Sequence, residues 1–438
     1  MHQEQFLVVD RHLPFVADAL QAPADGWARV GLSSLMRGTA PQDRWAGLCE
    51  RFAGSPGPWG PAVTVDQPMR AQFAQPPAPA RVFGTSMDFH HGASAAVASA
   101  RRLPARTSRR QLGEGVLVGV VDTGMRSHPW LEGGYLASPA DFEPFDRNEL
   151  ADGPEHQAGH GTFITGLVLQ QAQAAGVWVE RALEPEGEGL ASAVAEAALT
   201  LAGRGVHVLN LSLGCYADDP GAERVMGQLV QDLRRVNPEL VVVAAAGNRA
   251  HGQTGGAFWP AALPGVVAVG AAERTASGTV CWAPWSNRGP WVDLAAPGTD
   301  LLSTYLYDRR GVPATTSSRT GADAGPPMYR GWARWSGTSF SAAVVSGVLA
   351  ALMDEESVSA PRAVELLRSG AQWPGVRVEA ERGVPAVPVV RPVDWSDDLV
   401  ESSGAVTGEA GAERPWWGRP PTYGSAGPPS DAPDTRTD

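Results

Sequence analysis

Three short segments of the 438-residue chain set an acid, a base or a nucleophile among small, turn-forming neighbours. In Val118-Gly119-Val120-Val121-Asp122-Thr123-Gly124 an apolar run ends on a carboxylate. A charge at the end of a buried strand is costly unless a partner meets it, and ligands collect at the carboxyl ends of strands in open α/β sheets. Gly159-His160-Gly161-Thr162-Phe163-Ile164-Thr165-Gly166 brackets an imidazole with glycines, at the start of a helix expected to run through Gln171. The glycines leave the ring open to close approach. Ser336-Gly337-Thr338-Ser339-Phe340-Ser341-Ala342-Ala343 leads from a turn into an apolar helix, whose first N–H groups and dipole favour a developing oxyanion beside the serine. A fourth segment, Ala244-Ala245-Ala246-Gly247-Asn248, sets an amide just past a strand, a second source of oxyanion hydrogen bonds. Each segment alone also reads as ordinary structure: a turn Asp or Asn, a capping His or Ser. His128 and His156 lie nearby but outside the glycine-bracketed helix start, and both are read as structural.

Gathering these segments at one edge needs parallel strands joined by crossover helices, and residues 113 to about 371 carry that alternation. Val116–Val121, Val206–Leu211, Leu240–Ala244 and Val266–Gly270 are the strand candidates. Ala191–Ala202 and Ala222–Arg235 have apolar residues at helical spacing. The expectation is a three-layer α/β fold with a central parallel sheet, within a main domain over 111–395. Tyr305–Arg334 interrupts the alternation with Gly, Pro, Ser and Thr and reads as a surface insertion at about 305–334. Residues 1–110 form a smaller N-terminal region in which short apolar runs such as Phe6-Leu7-Val8-Val9 precede a Pro-rich stretch and an Arg-rich linker, Arg101–Arg110. Residues 396–438 are acidic and rich in Pro, Gly and Ser, the composition of a disordered tail.

Apolar residues at 43% and charged residues at 19% describe a globular chain. All 35 basic residues are Arg, with no Lys, a bias attributed to codon usage rather than to function. The net charge of -12, with no Arg stripe interleaved with aromatics, argues against nucleic acid as a partner. Met1–Leu20 lacks the features of a secretory signal, and no apolar stretch of about eighteen residues suggests a membrane span. A cytoplasmic location without membrane contact is therefore expected. Cys49, Cys215 and Cys281 have no metal-ligand spacing, and no run has the carboxylate pattern of a calcium loop, so no metal or cofactor is expected.

The four segments, in this order, resemble the signatures of the subtilisin-like serine peptidases, the subtilases. The resemblance extends to Asn210-Leu211-Ser212-Leu213-Gly214, to Trp259-Pro260-Ala261 before Val266–Gly270, and to Ala296-Pro297-Gly298. It implies a subtilisin-like fold and a serine endopeptidase using Asp122, His160 and Ser339 as catalytic triad, with Asn248 in the oxyanion hole. It also implies a protein or peptide substrate bound extended along Ser212, Leu213 and Gly214, with Ala246, Gly247 and Phe258 near its side chains. The order Asp, His, Ser differs from that of chymotrypsin-like peptidases and of α/β-hydrolases.

Where the family usually has Ser-Pro after the nucleophile, this chain has Ala342-Ala343, which removes no catalytic group. Phe258 stands where many relatives have a small residue at the floor of the specificity pocket. The expectation is that Phe258 shortens the pocket and Arg249 turns it away from basic residues, or else that both side chains face elsewhere. For residues 1–110 an accessory or targeting role is preferred over a cleft-blocking, folding-assisting segment. The expected function is limited proteolysis of an intracellular partner, the alternative being a catalytically silent peptide-binding scaffold.

Overall fold

The structure is a computed structural model that describes residues 3–21, 24–41, 44, 63–71, 111–141, 157–216, 220–250, 256–275, 278–307, 330–371, 376–378 and 385–392. His156, Cys49, the Arg-rich segment 101–110 and the tail 396–438 lie outside these residues.

The N-terminal region folds as a small α/β module. Strands β1 (Gln3–Val9), β2 (Ala28–Arg29), β3 (Leu35–Pro41) and β4 (Val63–Val65) form an antiparallel sheet in the order β2-β3-β1-β4, with helix α1 (Leu13–Ala19) following β1. The run Phe6–Val9 is buried on both faces, and the two-residue period of a strand sends alternate side chains to different cores. Phe6 and Val8 pack with Val16, Leu20 and Trp27 inside the module. Leu7 and Val9 join Met226, Leu229 and Leu233 in a core shared with the main domain. Strand β5 (Pro68–Ala71) then leaves the module's sheet.

The main domain runs β6 (Leu117–Asp122), β7 (Tyr135–Leu136), α2 (His160–Gln171), β8 (Gly176–Arg181), β9 (Glu188–Leu190), α3 (Ala191–Gly203), β10 (Val208–Leu211), β11 (Leu213–Gly214), α4 (Pro220–Val236) and β12 (Val241–Ala245). It continues with β13 (Val267–Arg274), β14 (Val280–Trp282), β15 (Leu294–Pro297), β16 (Leu301–Tyr307), β17 (Arg330–Trp335), α5 (Thr338–Glu355) and α6 (Ala360–Ser369). An eight-stranded sheet has the order β14-β13-β12-β10-β6-β8-β7, with β15 paired to β13, and every pairing but β13–β14 is parallel. The sheet is mostly parallel and flanked by helices, as expected of three layers. Every residue of β10 and β12 is buried, which is why β12 reads as a continuous apolar run.

Helix α5 is eighteen residues long and apolar enough by hydropathy alone to cross a membrane, a stretch that the composition of the chain had not brought out. Its length is instead spent in the core, where 83% of it is buried, among Val168 of α2, Val243 of β12 and Val269 of β13.

The expected surface insertion at 305–334 is corrected at both ends. Residues 301–307 and 330–335 pair as an antiparallel hairpin, and Tyr305, Ala333 and Trp335 are buried. Apolar side chains at alternate positions, 333 and 335, supply a strand period that the surrounding Gly, Pro, Ser and Thr obscured. Residues 308–329 lie outside the described residues.

Candidate active site

Asp122 is the last residue of β6 and His160 the first of α2. They meet because α2 starts hard against the end of β6: a Cβ on Gly161 would collide with the Gly124 carbonyl and come within 3.2 Å of the Asp122 Cβ. Gly159, at φ 84°, supplies the left-handed cap that starts the helix. The glycines around His160 therefore serve the approach of helix to strand, a different reason from open access to the ring.

His160 Nδ1 lies 2.8 Å and 2.9 Å from the two Asp122 oxygens, and both side chains are fully buried. The Thr123 N–H also donates to Asp122 Oδ1, at 2.7 Å. With Nδ1 taken by the carboxylate, the imidazole presents Nε2, which is buried and has no hydrogen-bond partner among the described residues. Trp335 meets the ring edge-on with centroids 5.6 Å apart, and Phe340 lies at 5.4 Å. His128, by contrast, caps a short 3-10 turn by accepting from the Trp130 N–H at 3.1 Å.

Ser339 occupies the first turn of α5, and its hydroxyl donates to the Ser212 carbonyl at 2.8 Å. The Ser212 hydroxyl donates in turn to the Ser339 carbonyl at 2.7 Å and accepts from Asn210 Nδ2 at 2.8 Å. Ser212 was expected along an extended substrate through its main chain; its fully buried side chain clamps the nucleophile's own backbone, and Leu213 and Gly214 form β11, which pairs with β5.

Asn248 is held in one amide orientation by Thr338, whose N–H and hydroxyl both donate to Asn248 Oδ1, at 3.0 Å and 2.9 Å. The Thr338 hydroxyl also accepts from the Gly247 N–H at 3.0 Å. Because Oδ1 takes both donors, the amide must present Nδ2, which is buried without a hydrogen-bond partner among the described residues. A buried amide N–H turned out in this way is the kind of donor an oxyanion requires.

Strand β5 lies in the cleft. It pairs antiparallel with β11 on one side, Leu213 against Ala71 and Gly214 against Arg70, and with β9 on the other. Met69 is fully buried beside Leu183, Val194 and Leu213, and Arg70 pairs with Glu188 at 2.9 Å. A strand of the N-terminal region thus pairs with the segment along which an extended substrate was expected to lie.

Phe258 is fully buried and packs on Tyr216, whereas Arg249 is exposed, its guanidinium stacked 4.2 Å over the Tyr216 ring. Ala246 is buried, its carbonyl accepting from Asn287 Nδ2 at 2.9 Å. Thr338, Tyr216 and Asn287 were not singled out by sequence. The only signal for Thr338 was its place beside the presumed nucleophile; for the other two there was none. Cys215, next to the cleft strand, is no rival nucleophile, since burial pushes its thiol up to about 12. Among the described residues no group of three His, Cys, Asp or Glu could hold a metal ion.

The thermophilic serine proteinase of Bacillus sp. strain AK1 is 33% identical over 215 residues, which span 46% of this chain and 48% of that protein. Subtilisin Savinase of Lederbergia lenta is 32% identical over 211 residues, 46% of this chain and 71% of that protein. The chain thus spans about half the length of the first of these. Among solved structures, fervidolysin of Fervidobacterium pennivorans, a keratinolytic enzyme related to subtilisin, shares the fold at 18% identity and a TM-score of 0.54, covering 89% of this chain and 60% of its own. The model of the subtilase family matches residues 113–369, the whole interval that carries Asp122, His160, Asn248 and Ser339, and the chain belongs to that family.

Proposed function

We propose that the chain is a serine endopeptidase working through Ser339, His160 and Asp122. The observation that carries this reading is the buried His160–Asp122 pair, with both carboxylate oxygens within 2.9 Å of Nδ1 and Nε2 left for the nucleophile. Ser339 Oγ attacks the scissile carbonyl carbon and passes its proton to Nε2, and the oxyanion is held by Asn248 Nδ2 and the Ser339 N–H. Collapse breaks the C–N bond while His160 protonates the departing amine. Water then repeats the sequence on the acyl-enzyme and frees Ser339. Asp122 fixes the imidazole tautomer and steadies its cationic form.

A fluorophosphonate probe should label the chain on one serine, and Ser339→Ala should abolish labelling. Asp122→Asn should lower kcat about 10⁴-fold. No labelling of the folded protein would favour the silent scaffold.

Limited proteolysis of a partner protein, in the cytoplasm, belongs to the same proposal. The occupied cleft favours a regulated enzyme over one that degrades bulk protein, and Cys215 carries a free thiol, as in a reducing compartment. Cell fractionation with the labelled enzyme tests the location: recovery outside the cytoplasm would overturn it.

A further inference from the structure

We propose that the residue before the scissile bond must be glycine or alanine, because Phe258, backed by Tyr216, fills the slot that would receive its side chain. The inference rests on the peptidase reading above.

The place of the slot follows from β5. The ladder pairs Arg70 with Gly214 and Ala71 with Leu213, so a chain continued by one residue in the same register comes opposite Ser212. That carbonyl accepts the Ser339 hydroxyl at 2.8 Å. A substrate residue there brings its carbonyl carbon to the nucleophile and its oxygen to Asn248 Nδ2. Its side chain must then enter between two backbone segments, 212–214 and 246–248. Each presents a glycine to the gap, and one aromatic ring meets both. A Cβ on Gly214 would lie 2.6 Å from Phe258 Cζ, and one on Gly247 3.1 Å from Phe258 Cγ. The space between the two glycines is occupied by protein.

The plug is fastened rather than hinged. Cys215 and Trp259 exchange two backbone hydrogen bonds of 2.9 Å, which sets Phe258 across from Tyr216. Their ring centroids lie 4.7 Å apart at 50°. Asn287 Nδ2 donates to the Tyr216 hydroxyl at 2.8 Å, and Asn287 Oδ1 accepts from the Arg249 N–H at 2.9 Å. The Arg249 guanidinium covers the Tyr216 ring. Swinging Phe258 out would expose a fully buried ring and strip Tyr216 of a packing partner. Arg249 therefore acts as a support for Tyr216, and its charge is not what selects the substrate.

The test is a set of peptides identical except for Gly, Ala, Leu, Phe or Arg before the cut, assayed on the full-length protein. Strand β5 competes equally with every peptide, so ratios of kcat/KM are unaffected by it. The ratio for Ala over Phe or Arg should be on the order of 100-fold or more. Phe258→Gly should raise cleavage after Leu and Phe by about 10- to 100-fold and abolish the ranking. Phe258→Leu, which keeps most of the buried apolar volume, grades the effect if the glycine variant does not fold. Best cleavage after Phe, Leu or Arg by the unaltered protein, or a ranking indifferent to both substitutions, overturns the proposal. The same peptides titrated onto Ser339→Ala rank the side chains by binding alone. A chain that cleaves nothing but binds the Ala peptide most tightly would refute the peptidase reading and leave the plugged slot standing.

Discussion

At the scale of single residues, Thr338 decides which face of the Asn248 amide the site sees. Its hydroxyl donates to Asn248 Oδ1 and accepts from Gly247, so Thr338→Val removes both bonds without changing shape. With only the Thr338 N–H left on Oδ1, the amide is held less firmly and turns Oδ1 toward the oxyanion in part of the molecules, where it repels rather than stabilises. That interaction exists only in the transition state, so the variant should lose about 10- to 100-fold in kcat with little change in KM, while Thr338→Ser stays near the parent. A shift in KM instead would place Thr338 in ground-state binding. Asp122, His160, Asn248 and Ser339 were legible in the sequence because each lies within a run of small residues whose backbone shape the site requires. Thr338, Tyr216 and Asn287 were not. Thr338 meets Asn248 across 90 positions and Asn287 meets Tyr216 across 71, and no local pattern records such pairings.

At the scale of elements, the junction between β4 and β5 fastens the N-terminal module to helix α3. Asp66 accepts from the Ser192 N–H at 3.0 Å and from its hydroxyl at 2.6 Å, meeting the positive end of the helix. Burial outweighs those hydrogen bonds and raises the Asp66 pKa. The sign follows. A carboxyl whose folded pKa is raised supports the fold most below the ordinary carboxylate value, and that support is lost as pH rises through the raised value. Asp66→Asn has no charge to bury, so its melting temperature relative to the parent should climb as pH increases from about 4 to about 8. A pH-independent difference would show that Asp66 does not titrate in this window. The helices and central strands were readable from their periods, whereas β5 was not. It has four residues beside Pro-rich sequence, and it is a strand only because β9 and β11, far along the chain, lie on either side.

At the scale of the whole molecule, module and main domain share one core. Leu7, Val9, Val30, Leu35 and Met69 are buried in the same cluster as Val225, Met226, Leu229 and Leu233 of α4. Burying side chains of this size contributes about 1.5–3 kcal/mol each, so the module is held by much more than β5. The cleft is opened most economically at Met69. Met69→Asp puts a carboxylate into that apolar cluster and should speed fluorophosphonate labelling of Ser339 at least about tenfold while the module stays docked. Equal labelling rates would mean that β5 does not restrict access. The run Phe6–Val9 had signalled a folded N-terminal region, but which of its faces met the rest of the chain depended on α4, more than 200 positions away.

Helix α5 carries Ser339 at its start and spends nearly all its length in the core. No hinge or surface loop separates the nucleophile from the buried body of α5, and the clamp from Ser212 reaches it from between β10 and β11. Heating therefore has no route to a folded but catalytically disarranged enzyme through this helix. Thermal inactivation and loss of tertiary structure should share one midpoint, which makes residual labelling of Ser339 a direct count of the molecules still folded.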